Sequence, residues 1–225
     1  MTDLVKAVAD RCRRLDGWPD LVAPPGYQES LALCVVDSIW SIGITYATTS
    51  NVVDRYRTWV TSEGRGSADE RTASELTDDI SFIGGGGAFA DVVRNHNLTS
   101  SRGGVLKADV VRDAAAVLVR LGVETTDDLR ARAGDEEVEV AWRSLHGQGS
   151  GTSWYYLQIL AGVENVKPDR MICRFVADAG GVESIIPADA YAALCGAYEL
   201  LRGAQPRLTL RGLDHAAWNA GRSLK

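Results

Sequence analysis

The chain has 225 residues, of which 45% are hydrophobic and 24% are charged, and its formal net charge at pH 7 is −6. This length allows one well-buried core or two small helical lobes, without any need for disulfides or a structural metal. An acidic balance argues against an indiscriminate polyanion binder, because sequence-independent DNA affinity comes from phosphate neutralisation by Lys and Arg. No apolar run is long enough to span a membrane and no signal-like segment opens the chain, so we expect a cytoplasmic protein.

The basic residues and the cysteines are candidates for a phosphate-binding face and for a metal site, respectively. A local basic face is compatible with the net charge, and the alternative is a set of solvated helix faces. The basic candidates are Arg102, Lys107, Arg112, Arg143, Lys167, Arg170 and Arg174. The four cysteines are widely spaced within apolar helical patterns, so we expect buried free thiols and no metal site.

Helical periodicity dominates the chain, and no stretch shows the sustained alternation of a half-buried strand, which predicts an all-α fold. The pattern predicts, in chain order, helices over residues 4–15, 29–39, 44–60, 74–83, 105–121, 125–129 and 135–145. Gly17 and the Pro that follows Trp18 end the first helix, and residues 24–26 form a linker. Residues 61–69 are predicted to form a polar loop, and the four glycines at 84–87 permit unusual backbone dihedrals.

The stretch from residue 145 to residue 176 is the most informative part of the sequence. Gly147, Gly149 and Gly151 separate two helical patterns, and Thr152 and Ser153 open the second one. Such a turn can leave backbone N–H groups unpaired at a helix amino terminus, where they can bind a phosphate without a basic side chain. A plain loop between two helices is the alternative.

Asp169 is the candidate catalytic carboxylate. Pro168 favours an extended Lys167 and a helix that begins at or just after Asp169. The partial positive charge at a helix amino terminus stabilises a carboxylate there. Such a carboxylate can stabilise positive charge on a nearby sugar or orient an attacking water. The alternative is a simple N-cap, worth about 1 kcal/mol of helix stability.

These residues resemble the helix-hairpin-helix base-excision DNA glycosylases, the superfamily that includes endonuclease III. The hairpin of that family reads L-P-G-x-G-x-K-T-A, and residues 145–153 of this chain, LHGQGSGTS, fall on it in register. Asp169 falls on the family's catalytic aspartate without insertion or deletion, and Arg174 falls on an arginine five residues beyond it. Residues 29–57 and 105–118 resemble the family more loosely, as does the segment from Leu213 to Trp218.

The resemblance implies a single two-lobed domain over residues 1–225. A six-helix-barrel lobe would span about residues 28–163, and a second lobe would combine about residues 1–27 with residues 164–225. The hairpin residues Gly147, Gly149, Gly151 and Thr152 would bind a DNA phosphate. Asp169 would be the essential carboxylate.

Two departures from the family pattern bear on the chemistry. Gly151 stands where bifunctional members carry a nucleophilic lysine, so no Schiff base and no strand cleavage are expected. The carboxy-terminal four-cysteine cluster of the iron–sulfur members is missing, since only Cys173 and Cys195 lie late in the chain. We therefore expect no iron–sulfur cofactor and no other cofactor.

Base excision also requires a pocket for the extruded nucleotide and a wedge that fills the gap. The aromatic candidates are Trp40, Tyr46, Trp154, Tyr155 and Tyr156. Each of these is also a common type of core or interface residue. His146 and His215 are candidates for proton transfer, with a structural role as the alternative.

The leading hypothesis is a monomeric, monofunctional DNA glycosylase that hydrolyses the N-glycosidic bond of a damaged or modified base in duplex DNA. One alternative is a non-catalytic module that uses the same hairpin to bind DNA or a protein partner. Another is a helical interaction protein that has lost DNA binding. The sequence leaves the identity of the excised base open.

Overall fold

The computed structural model describes residues 2–224. Over this range the chain forms twelve α-helices, one 3-10 turn and no β-strand, which confirms the all-α prediction. The helices are α1 (Thr2–Cys12), α2 (Leu31–Trp40), α3 (Tyr46–Ser62), α4 (Ala73–Ile83), α5 (Gly86–Val92), α6 (Lys107–Arg120), α7 (Thr126–Ala131), α8 (Glu136–Arg143), α9 (Thr152–Leu160), α10 (Arg170–Gly180), α11 (Pro187–Arg202) and α12 (Leu210–Ser223). Across residues 2–224, no helix has the length and apolar character needed to cross a membrane.

The chain divides into two compact units. The central unit comprises residues 26–163 and contains α2 to α9. The terminal unit combines the residues up to 25 with those from 164 onward, and contains α1, α10, α11 and α12. Each unit has its own cluster of buried apolar side chains.

Helix α2 is the centre of the central unit. Every one of its ten residues is buried, and it packs against α3, α4, α6 and α9. A helix that is apolar on nearly all sides is stable in water only when other elements surround it. Ser30 fixes its start, because the Ser30 hydroxyl accepts a hydrogen bond from the backbone N–H of Leu33 at 3.2 Å.

The run of four glycines is both a turn and a helix start, whereas the sequence predicted unusual dihedrals or a close approach to another chain and no helix. Gly84 and Gly85 have φ angles of 107° and 100°, which L side chains rarely adopt. Gly86 then opens α5, where an added Cβ would lie only 2.3 Å from the carboxylate of Asp109 on α6. The glycines therefore reverse the chain sharply and let α5 approach α6 closely.

A buried ionic cluster ties α3 and α4 to the loop between them. Asp79 on α4 is fully buried, and its carboxylate accepts hydrogen bonds from Arg65 Nε at 2.6 Å and from the Tyr56 hydroxyl at 2.7 Å. The Nε atom of the buried Arg71 lies 3.0 Å from Oδ2 of Asp79, the same oxygen that accepts the Tyr56 hydroxyl. Burial, together with the nearby charge of Asp79, raises the pKa of Tyr56, so the phenol stays protonated and can donate.

The terminal unit is built on a close contact between α10 and α12. An added Cβ at Gly221 on α12 would lie 2.1 Å from the backbone oxygen of Met171 on α10. A second glycine of α12, Gly212, would similarly place a Cβ 2.4 Å from the backbone oxygen of Leu21. Gly221 therefore lets α12 lie directly against the start of α10, and Gly212 lets it approach the backbone at Leu21.

We expect Asp79→Asn to destabilise the protein by about 3–5 kcal/mol, because it leaves two arginines facing a neutral amide in a buried site. Urea-induced unfolding measures this change. Glu75→Gln is the matched control, since Glu75 is the half-exposed partner of Arg71 at 3.3 Å. The control should change stability by less than about 1 kcal/mol, and equal losses in both variants would contradict the role given to the buried carboxylate.

Candidate functional site

The turn between α8 and α9 has a defined backbone course. The N–H of Gln148 donates to the carbonyl of Leu145 at 3.0 Å, and the N–H of Gly151 donates to the carbonyl of Gln148 at 3.0 Å. Gly147 and Gly151 have φ angles of 77° and 78°, so glycine suits both positions. Gly151 occupies the N-cap position of α9 and has no side chain that could cap it, while the Ser150 hydroxyl accepts the N–H of Thr152 at 3.4 Å.

Buried side chains hold this turn in place. The indole N–H of Trp142 donates to the Ser153 hydroxyl at 3.0 Å, and that hydroxyl donates to the side-chain oxygen of Gln148 at 2.6 Å. From the outer side, the guanidinium of Arg143 donates to the carbonyl of Gly149 at 3.1 and 3.3 Å. The turn is therefore fixed by its neighbours, and the partly exposed guanidinium of Arg143 beside it also pairs with Glu139 at 3.0 Å.

Three loops of the central unit are neighbours, and we call residues 41–46, 97–106 and 144–152 the loop face. An added Cβ at Gly147 would lie 2.9 Å from Cβ of Thr99, so the second loop touches the turn. The second loop is also tied to the first, because Lys107 at the start of α6 binds the carbonyls of Trp40 and Ile42. Arg102 is exposed on the second loop.

The aromatic candidates divide into buried and accessible residues. The prediction that Trp40 and Trp154 stack on a base is wrong, because both are fully buried core residues of α2 and α9. Tyr155 and Tyr156 are partly buried and pack against the same core. Tyr46, at the first position of α3, is 68% exposed. It is the aromatic candidate on the loop face that is accessible to a ligand.

One of the basic candidates, Lys107, is buried, so the prediction that it lies on a basic surface is wrong. Lys107 is only 2% exposed, so it cannot reach a phosphate in solvent. In the sequence, Lys107 precedes Val111, Ala114 and Leu118 at helical spacing, and this pattern would have placed it on the buried face of α6. Lys167 is half-buried, and the exposed basic candidates are Arg102, Arg112, Arg143, Arg170 and Arg174.

Asp169 lies at the amino end of α10, as the sequence predicted. One carboxylate oxygen accepts the backbone N–H groups of Met171 at 2.7 Å and Ile172 at 3.2 Å. The other accepts the indole N–H of Trp218 on α12 at 3.0 Å. Asp169 is only partly buried. The carboxylate is thus fixed by three donors and still reaches solvent.

A second carboxyl group lies next to Asp169. Asp214 on α12 is buried, and its Oδ1 accepts the backbone N–H of Lys167 at 2.9 Å. Burial raises the pKa of Asp214 to about 7, an effect opposed by the Lys167 N–H and reinforced by the negative charge of Asp169. No local sequence signal predicts a functional role for Asp214 or Trp218, although their spacing of four residues places them on one face of a helix.

Other groups in the terminal unit bear less directly on chemistry. His215 is half-buried, and burial lowers its pKa, so it is neutral at pH 7. Burial raises the pKa of both Cys173 and Cys195, which makes them poor nucleophiles. Across residues 2–224, no three His, Cys, Asp or Glu side chains converge in a way that could hold a metal ion.

The raised pKa of Asp214 predicts that the stability of the protein depends on pH. A carboxyl whose pKa is raised on folding ionises more easily in the unfolded state than in the folded state. The free energy of unfolding therefore falls as pH rises from about 4 to about 7. Asp214→Asn cannot ionise, so its stability relative to the wild type should increase over that range by roughly 2–4 kcal/mol.

Urea unfolding between pH 4.5 and pH 8 measures this difference. Asp10→Asn, at an exposed carboxylate of the same unit, is the control and should show no comparable trend. A difference between Asp214→Asn and the wild type that stays constant with pH would contradict the assignment.

No curated protein and no solved structure matches the chain. The profile of the domain of unknown function DUF8548 matches residues 6–222, which is nearly the whole sequence. The chain belongs to the DUF8548 family.

Proposed function

We propose that this protein is a monofunctional DNA glycosylase that hydrolyses the N-glycosidic bond of a damaged or modified base in duplex DNA. The main support for the proposal is the position of the Asp169 carboxylate. It is a partly exposed carboxylate fixed at the start of α10, and it lies at the spacing from a glycine turn that resembles the helix-hairpin-helix glycosylases. The turn and the carboxylate belong to different units, and the proposal assigns one task to each.

The task of Asp169 is electrostatic. When the bond between C1′ and the base nitrogen breaks, the base keeps the electron pair and takes up a proton, and positive charge develops on the sugar. Asp169 stabilises that charge and orients the water whose oxygen then bonds to C1′, while the water proton is released. The contacts from Met171, Ile172 and Trp218 hold the carboxylate in one orientation, so little reorganisation is needed during the reaction.

The task of the loop face is to hold the duplex. The amino end of α9 begins at a glycine that supplies no side-chain cap, and its backbone N–H groups would bind a phosphate, with the guanidinium of Arg143 beside the same turn. Arg102 adds an exposed charge, and Tyr46 is the exposed aromatic side chain that fills the gap left by an extruded nucleotide. Backbone donors explain how a chain with a net charge of −6 can bind a polyanion locally.

The proposal excludes lyase chemistry on the hairpin. A bifunctional enzyme forms a Schiff base between a lysine amine and C1′, and the corresponding position here is Gly151. The product is therefore an intact strand with an abasic site, which breaks only on treatment with alkali.

A non-catalytic DNA-binding module is the second candidate. One observation favours it, because both oxygens of Asp169 already accept hydrogen bonds within the fold. An N-cap that also anchors Trp218 gives this residue a purely structural reason to be an aspartate. Excision activity separates the two candidates.

We expect Asp169→Asn to lower base excision by about 100-fold or more, because the carboxylate that opposes the developing positive charge is lost. Asparagine is as good an N-cap as aspartate, so α10 should still begin at this residue. The amide nitrogen cannot accept the N–H of Trp218, so a modest loss of stability is expected as well. The assay uses duplexes that carry alkylated, oxidised, mismatched or otherwise modified bases, followed by hot alkali to cut abasic sites. Duplex affinity, measured in parallel, should change by less than about threefold.

Asp178→Asn is the matched control, since Asp178 is an exposed residue of the same helix, paired with Arg11 at 3.2 Å. This variant should excise as the wild type does. Full activity in Asp169→Asn would refute the catalytic role. Duplex binding without excision in the wild type would establish the DNA-binding module, and failure to bind duplex at low salt would refute both candidates.

A further inference from the structure

Lys107 is a charged residue in the core of the central unit. It is the first residue of α6, and at 2% exposure it is one of the largest fully buried side chains of the chain. Burying an ammonium group is costly unless it is well paired, and lysine is among the residue types least often found fully buried. The position of its charge therefore calls for a specific explanation.

The ammonium group binds the end of α2. Nζ of Lys107 donates to the carbonyl of Trp40 at 2.8 Å and to the carbonyl of Ile42 at 2.5 Å. Trp40 is the last residue of α2, and Ile42 belongs to the loop that follows. The last carbonyls of a helix have no partners within the helix and carry partial negative charge, so a cation there is favourable.

Two further bonds join the end of α2 and the start of α6 to the segment over residues 95–97. The indole N–H of Trp40 donates to the side-chain oxygen of Asn95 at 2.9 Å, and the backbone N–H of Lys107 donates to the carbonyl of Asn97 at 2.9 Å. These bonds fix the end of α2 and the start of α6. The contact with Ile42 differs from them, because it reaches beyond the helix into the loop over residues 41–45.

That loop leads directly to the exposed aromatic residue of the loop face. Gly43 has a φ angle of 74°, Thr45 caps α3 through the N–H of Thr48, and Tyr46 follows at 68% exposure. The loop has α2 on one side and α3 on the other. The bond from Lys107 to Ile42 fixes it from the interior, on the side opposite to solvent.

We propose that Lys107 is a positioning residue, whose buried ammonium group holds the 41–45 loop in a single conformation and so presents Tyr46 for insertion into duplex DNA. The use of the loop on DNA rests on the proposed function. The holding of the loop does not, and it can be tested without any substrate. An apolar side chain at position 107 would leave the carbonyls of Trp40 and Ile42 without this donor, and the loop would become free to relax towards water.

Lys107→Met is the test variant, because methionine has similar length and flexibility without the charge. Amide hydrogen exchange of residues 42–46 should become about 10-fold faster or more, while the α8–α9 turn should change no more than the rest of the unit. Val111→Ala, one turn later on the same buried face of α6, is the control for a general loss of stability. It should speed exchange across the central unit without a selective effect on residues 42–46. Lys107→Gln retains a neutral donor and should give an intermediate effect, and it serves as the test variant if Lys107→Met does not fold.

The excision assay provides the second measurement. If Lys107 positions Tyr46, Lys107→Met should lower the excision rate at saturating enzyme by about 10-fold and leave duplex affinity within about threefold. Loop exchange that matches the Val111→Ala control would overturn the proposal, as would normal excision by a variant whose loop has become mobile. Selective loop exchange in a protein whose wild type excises no base would support the holding of the loop and refute the glycosylase.

Discussion

A helix leaves its first N–H groups and its last carbonyls without partners inside the helix, and twelve short helices over residues 2–224 create many such ends. In this chain the residues of greatest functional interest lie at those ends. Asp169 binds the N–H groups at the start of α10, and Lys107 binds carbonyls at the end of α2. Glu164 likewise accepts the N–H groups of Leu210 and Arg211 at the start of α12. At α9 the cap position is occupied by a glycine, which has no side chain to accept an N–H.

The contrast between α9 and α10 separates binding from chemistry. In α10 the partial positive charge of the helix end is met by a carboxylate of the chain itself, which becomes a fixed negative charge at the surface. In α9 the cap residue is a glycine, which supplies no such charge. The proposed function assigns an anion to the end of α9 and a developing cation to the end of α10.

The close contact between α10 and α12 brings two side chains of α12 to the region around Asp169. Gly221 permits the contact by its lack of a side chain, and Trp218 and Asp214 then reach the segment that ends at Asp169. Because burial raises the pKa of Asp214 to about 7, this carboxyl is only partly ionised at neutral pH, which reduces the electrostatic repulsion between the two acids.

The sequence predicted the fold class and most helices of the central unit, because a period of 3.6 residues is visible wherever a helix has one buried face. It also predicted the start of α10, since Pro168 and Asp169 are direct local signals. It predicted α2 as a core helix but left the role of Trp40 open between the core and a base-stacking surface, because apolar residues on every side of α2 hide which residues face solvent. Lys107 was misread because charge normally indicates exposure, and α5 was missed because glycine is a poor helix former. The pairing of Asp169 with Trp218 depends on contacts between distant segments, which no local pattern reports.

The measurement that tests the role of Asp169 most directly does not require the identity of the excised base. It compares the affinity of the protein for two duplexes, one with a cationic pyrrolidine in place of the abasic sugar and one with a neutral tetrahydrofuran. An active-site carboxylate that stabilises positive charge on the sugar should make the pyrrolidine duplex bind about 10-fold tighter or more, and Asp169→Asn should remove most of that preference. Equal affinity of the wild type for both duplexes would contradict the account.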